Sequence, residues 1–280
     1  MTGCVLSCMQ LTNKKFSCMK LKTQDLTQSK SWLSAIQRQQ LGEVLRACFS
    51  NITPEDYLAE HFDSPSAYDR TLRLYYAHGD TCSEAAPNNK PLSHAHTCND
   101  TDERYGYRVV GFCLLTFTQD QMDKSVVIIQ ASAGFLPEYR KGSHTFQFSL
   151  WQSFLCWLKQ PWRNIYYADA MLSPAMYRAT AKHCGIVWPH PAHEAPKALF
   201  ERFNPDGLLS AHNHVRCLVN FGCYSHYSAQ ELASFKASNA LEIQYFQTVN
   251  PSFTQGMALF VIIPVNLKQL IKTVMKFLGA

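Results

Sequence analysis

The sequence predicts a mixed α/β fold, an α+β arrangement around one mixed sheet with a C-terminal α+β extension. Three observations carry this. Apolar runs of strand length alternate with segments of helical periodicity. Two of those runs, residues 107–117 and 124–134, are separated by a short polar turn and read as a hairpin. The second is then followed by helix, strand and helix in the order of a βαβ unit. A chain of 280 residues with 46% apolar and 17% charged residues is ample for a buried core and excludes a disordered chain.

Taken in order, residues 1–25 are weakly patterned and read as a peripheral segment. Between Trp32 and Phe49, the spacing of Leu33, Ile36, Leu41, Val44, Leu45 and Phe49 predicts an amphipathic helix. A second helix follows from "TPEDY", where Thr53 caps, Pro54 suits the first turn, and Glu55 and Asp56 complement the dipole. Residues 70–77 alternate as a strand, and 78–104, rich in Asp, Asn, His and Pro, read as a long loop. After the hairpin, a helix is expected over 143–158, a strand over 163–172 and a helix over 173–185. The last of these is capped by Ser173, with Pro174 in its first turn and Gly185 as its stop. Beyond Pro189 the expected elements are a helix near 194–203, a strand near 215–224, a helix near 228–238, strands near 241–247 and 257–263, and a terminal helix.

The net charge of +5 is spread along the chain without a run of like charges, which favours anionic ligands in general and gives no sign of nucleic acid. The 11 cysteines are odd in number and form no CxxC pair, so free thiols in a reducing compartment fit better than a disulfide framework. No signal peptide and no apolar run of membrane-spanning length is apparent, and a cytoplasmic protein is expected. A bacterial protein delivered into a host cytosol would look the same. His94, His96 and Cys98, and His212, His214 and Cys217, do not offer four ligands at zinc spacing, so no metal is expected. The terminal helix carries Lys268, Lys272 and Lys276 opposite Leu267, Leu270, Ile271, Val274 and Phe277. It is expected to pack its apolar stripe on its own domain, with a membrane-surface contact through 266–278 or a contact with a partner as the alternative.

The chemistry concentrates at "FLPEYRKGSHTF", residues 135–146. A strand-to-helix corner with Arg140, Lys141, Gly142 and the capping Ser143 joins positive charge to the N–H groups of a helix N-terminus, which suits a pyrophosphate. Asp169 stands near the end of the following strand, where it can take a proton from an amine or simply begin a turn. Tyr177 reads as a core residue of its amphipathic helix.

The stretch with Phe135, Pro137, Glu138, Tyr139 and Arg140 in register, followed by a glycine turn and a helix, resembles the acetyl-CoA motif of the GCN5-related N-acetyltransferases, the GNAT superfamily. "IYYADAMLSPAMYRATAKHCG" is similar to that family's next strand and helix. The resemblance covers about residues 26–190 and implies a GNAT-like acyltransferase domain there. Residues 191–280 would then be an extension packed on it, or a second GNAT-like half. It implies transfer of an acetyl or other acyl group from CoA to a small-molecule or protein amine by direct attack on the thioester. Acyl-CoA would be bound by Phe135, Leu136, Arg140, Lys141, Gly142, Ser143, His144 and Thr145, with a backbone N–H near Phe135 polarising the thioester. Tyr177 would protonate the leaving thiolate and Asp169 would assist the amine. The alternatives are a catalytically silent GNAT-like interaction module and an acyltransferase fed by an acyl-carrier protein.

Overall fold

The structure is a computed structural model, and it describes residues 21–78, 106–140, 144–220, 222, 224–225 and 227–278. In chain order the elements are β1 (Lys22–Thr27), α1 (Ala35–Cys48), β2 (Phe49–Ser50), α2 (Pro54–Tyr57), β3 (Asp69–His78), β4 (Tyr107–Gln119), β5 (Val126–Phe135), α3 (His144–Lys159), β6 (Asn164–Met171), α4 (Pro174–Ala181), α5 (Lys197–Phe203), β7 (Leu218–Asn220), β8 (Tyr224–Ser225), α6 (Ala229–Lys236), α7 (Leu241–Val249), β9 (Met257–Val265) and α8 (Leu267–Leu278). A π-helical turn, Leu58–Phe62, extends α2, a 3-10 turn, Pro137–Tyr139, leads out of β5, and another, Phe253–Gln255, leads into β9.

Seven strands form one open sheet in the order β1-β3-β4-β5-β6-β9-β7, and β2 and β8 form a separate ribbon. Every pair in the large sheet is antiparallel except β5 and β6. The fold is therefore mixed α/β on a mostly antiparallel sheet.

Local chemistry accounts for the helix starts. Ser34 and Gln37 close a capping box at α1, and Thr53 and Ser173 accept N–H bonds at α2 and α4, each followed by a proline in the first turn. On one face of the sheet Leu41, Val44 and Leu45 of α1 and Phe62 pack on Leu72, Leu74, Phe112 and Leu114. On the other face Phe148 and Cys156 of α3 cover Val110, Cys113, Leu115 and Ile129. A third cluster joins Tyr177, Phe200 and Phe246 from α4, α5 and α7 to β6 and β9. β9 is buried over Ala258–Ile263, which explains its continuous apolar run.

The structure differs from the sequence reading at several elements. Residues 22–27 are not peripheral, because β1 pairs with β3 from Lys22↔Tyr76 to Thr27↔Thr71 as the sheet edge. Residues 191–280, expected as an extension packed on the preceding part, contribute strands to its sheet. β9 lies between β6 and β7, so the C-terminal part completes the same sheet. Residues 241–249 are helical. Leu241, Ile243 and Tyr245 alternate like a strand, but Ile243, Phe246 and Val249 at three-residue spacing are the buried set. The strand expected near 215–224 is reduced to the short β7 and β8. The long loop assigned to 78–104 lies, apart from His78, outside the described residues.

Candidate active site at the parting of two parallel strands

β5 and β6 pair only from Val126↔Asn164 to Ile129↔Tyr167. Beyond that point β5 remains bonded to β4 as far as Gly111↔Phe135, and β6 remains bonded to β9 as far as Met171↔Leu259. Each strand follows its outer neighbour and the seam between them opens. Small residues line the β5 side, among them Ala131, Ala133 and Gly134. The opening is part of a cavity of about 390 Å³, walled by α3 (Phe146, Leu150, Phe154, Trp157), α4 (Met176, Thr180) and α8 (Gln269, Leu270, Thr273). Cys48, Tyr227 just before α6 and Glu231 on α6 also line it. A largely apolar cleft with a few convergent polar groups suits a small-molecule ligand.

Asp169 sits at the base of this opening, 9% exposed. Its Oδ2 accepts from the Ala131 N–H (3.2 Å) and from Tyr167 Oη (3.0 Å), and its Oδ1 accepts from the Ala170 N–H (2.8 Å). Burial pushes its pKa up to about 7, against the pull of those three donors. A carboxyl group that exchanges its proton near neutrality inside a cleft is equipped for acid–base work. Nearby, Cys113 Sγ lies 3.6 Å from Ser149 Oγ, and burial pushes its thiol up to about 12, so it remains protonated and is a poor nucleophile.

The expected donor-binding residues divide into three groups. Phe135, Arg140 and Thr145 line the cavity. Arg140 curls back onto the strand end, Nε donating to Phe135 O (3.2 Å) and Nη2 to Ala47 O (3.5 Å), and Cys48 Sγ donates to the same Phe135 carbonyl (3.1 Å). Leu136 does not take the expected place: its N–H donates to Val110 O (2.9 Å) and its side chain packs with the core. Lys141, Gly142, Ser143 and the side chain of His144 lie outside the described residues. Glu138 faces solvent and pairs with Arg108 at 3.7 Å.

The catalytic role expected of Tyr177 does not fit its position. It is fully buried, donates from Oη to Pro189 O (2.8 Å) and packs against Tyr245 and Phe246. Burial raises its pKa further above the usual phenol value, so it is a weaker proton donor still. The residues of α4 that reach the cavity are its neighbours Ala175, Met176, Ala179 and Thr180. Sequence reasoning missed Tyr167, although two-residue alternation along β6 puts it on the face of Asp169. It also missed the contribution of α8, for which no local signal existed.

Among the described residues, no group of three or more His, Cys, Asp or Glu side chains is placed to hold a metal ion. Among them, too, no helix is long and apolar enough to cross a membrane. The chain matches no protein-family model and no curated protein.

Proposed function

We propose that this protein is an N-acyltransferase of the GNAT type, transferring an acetyl or other acyl group from CoA to an amine. The parting of β5 and β6 above Ile129 and Tyr167 carries the reading. A pantetheine arm is an extended chain with two amides. Strand edges that have lost their neighbour offer N–H and C=O groups at the spacing such a chain needs. At the mouth, the Pro137–Tyr139 turn, Arg140 and the start of α3 lie where the pyrophosphate of that donor would sit. A mostly antiparallel sheet with one splayed parallel pair, followed by the Pro-Glu-Tyr-Arg turn and a helix, fits the fold that the resemblance implies.

Asp169 at the base of the opening then serves as the proton relay. The amine nitrogen attacks the thioester carbonyl, the C–N bond forms and the C–S bond breaks. The proton lost by nitrogen passes to the Asp169 carboxylate, directly or through water, and from there to the departing thiolate. Reactants and products balance without any further reagent. The raised pKa suits both halves of that exchange.

Thermal unfolding with acetyl-CoA, longer acyl-CoAs and free CoA tests the reading. At a hundredfold excess over Kd a donor that binds only the folded state adds about 2.7 kcal/mol of stability. Stabilisation by CoA compounds is expected, and the absence of any stabilisation would contradict acyl-CoA binding.

A further inference from the structure

α8 is mounted inside out. Its most deeply buried side chains are polar, Gln269 being 6% exposed and Thr273 2%, with Leu270 beside them at the cavity. Gln269 clamps one residue from both sides, Oε1 accepting from Ile186 N (2.7 Å) and Nε2 donating to Ile186 O (3.0 Å). Thr273 Oγ1 accepts from Gly185 N (3.0 Å), and Lys276 Nζ donates to Ala181 O and Cys184 O (2.9 and 3.0 Å). The helix also lies very close at Gly185, where an added Cβ would stand 2.3 Å from Lys272 Cβ and 2.7 Å from its carbonyl carbon. These contacts fix the rotation of α8 about its own axis.

That rotation leaves Leu267, Ile271, Val274, Met275 and Leu278 facing outward, each between 47% and 78% exposed. Their spacing puts them on one stripe. Lys268 and Lys272 are exposed beside it. The register Ile165↔Val265 sets the turn before β6 at the same end of the sheet as the start of α8. There Leu158 and Trp162 are exposed, Trp162 at 76%, next to exposed Lys159. Neither residues 139–168 nor residues 243–280 contain a single Asp or Glu.

We propose that this face docks on an anionic lipid bilayer, α8 lying in the plane of the interface. The apolar stripe and Trp162 enter the headgroup–acyl boundary, and Lys159, Lys268 and Lys272 meet the lipid phosphates. Charge selects this occupant. A symmetric contact between two copies through the stripe would bring the lysines of two helices together, with no acid on either helix to pair them. An outward apolar stripe with exposed Lys268 and Lys272 along one side complements an anionic surface.

Co-sedimentation of the full chain with vesicles decides it, comparing phosphatidylcholine alone with phosphatidylcholine containing about a third phosphatidylserine. Binding to the anionic vesicles that weakens with added salt is expected. Lys268→Ala with Lys272→Ala should lower it about twenty-five-fold, as the product of about fivefold for each lysine. Ile271→Glu with Val274→Glu should lower it at least about tenfold. Both positions are half exposed, and circular dichroism melting verifies that the variant is folded. No binding to the anionic vesicles, or undiminished binding by the folded Ile271→Glu/Val274→Glu variant, overturns the proposal. So does a dimer formed without vesicles that this variant dissociates, or a protein partner held by the stripe while vesicles are not.

Discussion

Asp169 Oδ2 accepts a hydrogen bond from the Ala131 N–H at 3.2 Å, a β6 side chain reaching across to β5 backbone just beyond the point where the two strands stop pairing. The bond stands in for the strand-to-strand bonds lost there. It also places a nearly buried carboxyl group at the apex of the opening.

The first prediction concerns the proton on that group. Its pKa is raised in the fold to about 7, whereas an unfolded Asp titrates near ~3.9. Between those values the native state holds a proton that the unfolded state has released. The stabilising contribution is thus complete below about pH 4 and is lost as the pH rises through about 7, by ~1.4 kcal/mol per unit. Melting of the wild type from pH 4 to 8 should show this fall, and Asp169→Asn should flatten it. Turnover should rise through the same pH range and drop about a hundredfold or more in Asp169→Asn.

Tyr177→Phe should act on stability alone. It removes the donor to Pro189 O in the core and should cost about 1–2 kcal/mol in denaturant unfolding. CoA affinity and turnover should stay within about twofold of the wild type, because a core position without access to the cavity contributes little to either.

Arg140→Ala should weaken both binding and fold. Loss of a charge-assisted contact to the donor is worth ~1.5–3 kcal/mol, read as roughly tenfold to a hundredfold in Kd. The bonds to Phe135 O and Ala47 O that tie the strand end to α1 add a stability loss of about 1 kcal/mol. Calorimetric titration alongside urea unfolding separates the two effects.

Gly185→Ala should displace α8. The new methyl would overlap Lys272 and the backbone of Thr273, whose N would lie 2.8 Å away, and backbone cannot step aside as a flexible side chain can. A loss of about 1–3 kcal/mol is expected in thermal unfolding, with greater protease sensitivity after residue 265.

Much of this was legible in the sequence, for physical reasons that differ by element. β4, β5 and β6 are buried strands in the middle of the sheet, so their apolar content declares them. Ser173 and Pro174 mark the start of α4 by their own chemistry. β1 was not legible: as an edge strand, "KTQDLT" has a single buried residue, Leu26, and owes its conformation to pairing with β3. The direction of Tyr177 was written in the pattern, since Pro174, Tyr177 and Ala181 form the buried stripe of α4, yet its chemical type suggested a site. α8 defeats the usual rule altogether. Its apolar stripe is the stronger local signal, but Gln269, Thr273 and Lys276 find backbone partners in residues 181–186, contacts that no local pattern announces. Asp169 could be named from its place near a strand end. Its partner Ala131 N–H becomes visible only once β5 and β6 are seen to part.

The most direct test of the central claim is calorimetric titration of CoA into the wild type and into Ala133→Leu. Ala133 is a half-buried residue on the β5 side of the opening, and a leucine there fills space the donor arm would occupy. One site is predicted for the wild type, with binding at least about tenfold weaker in a variant that still melts cooperatively. Wild-type protein that takes up no CoA, or a folded Ala133→Leu variant that binds CoA as tightly as the wild type, would contradict the assignment of the parted strands as the donor site.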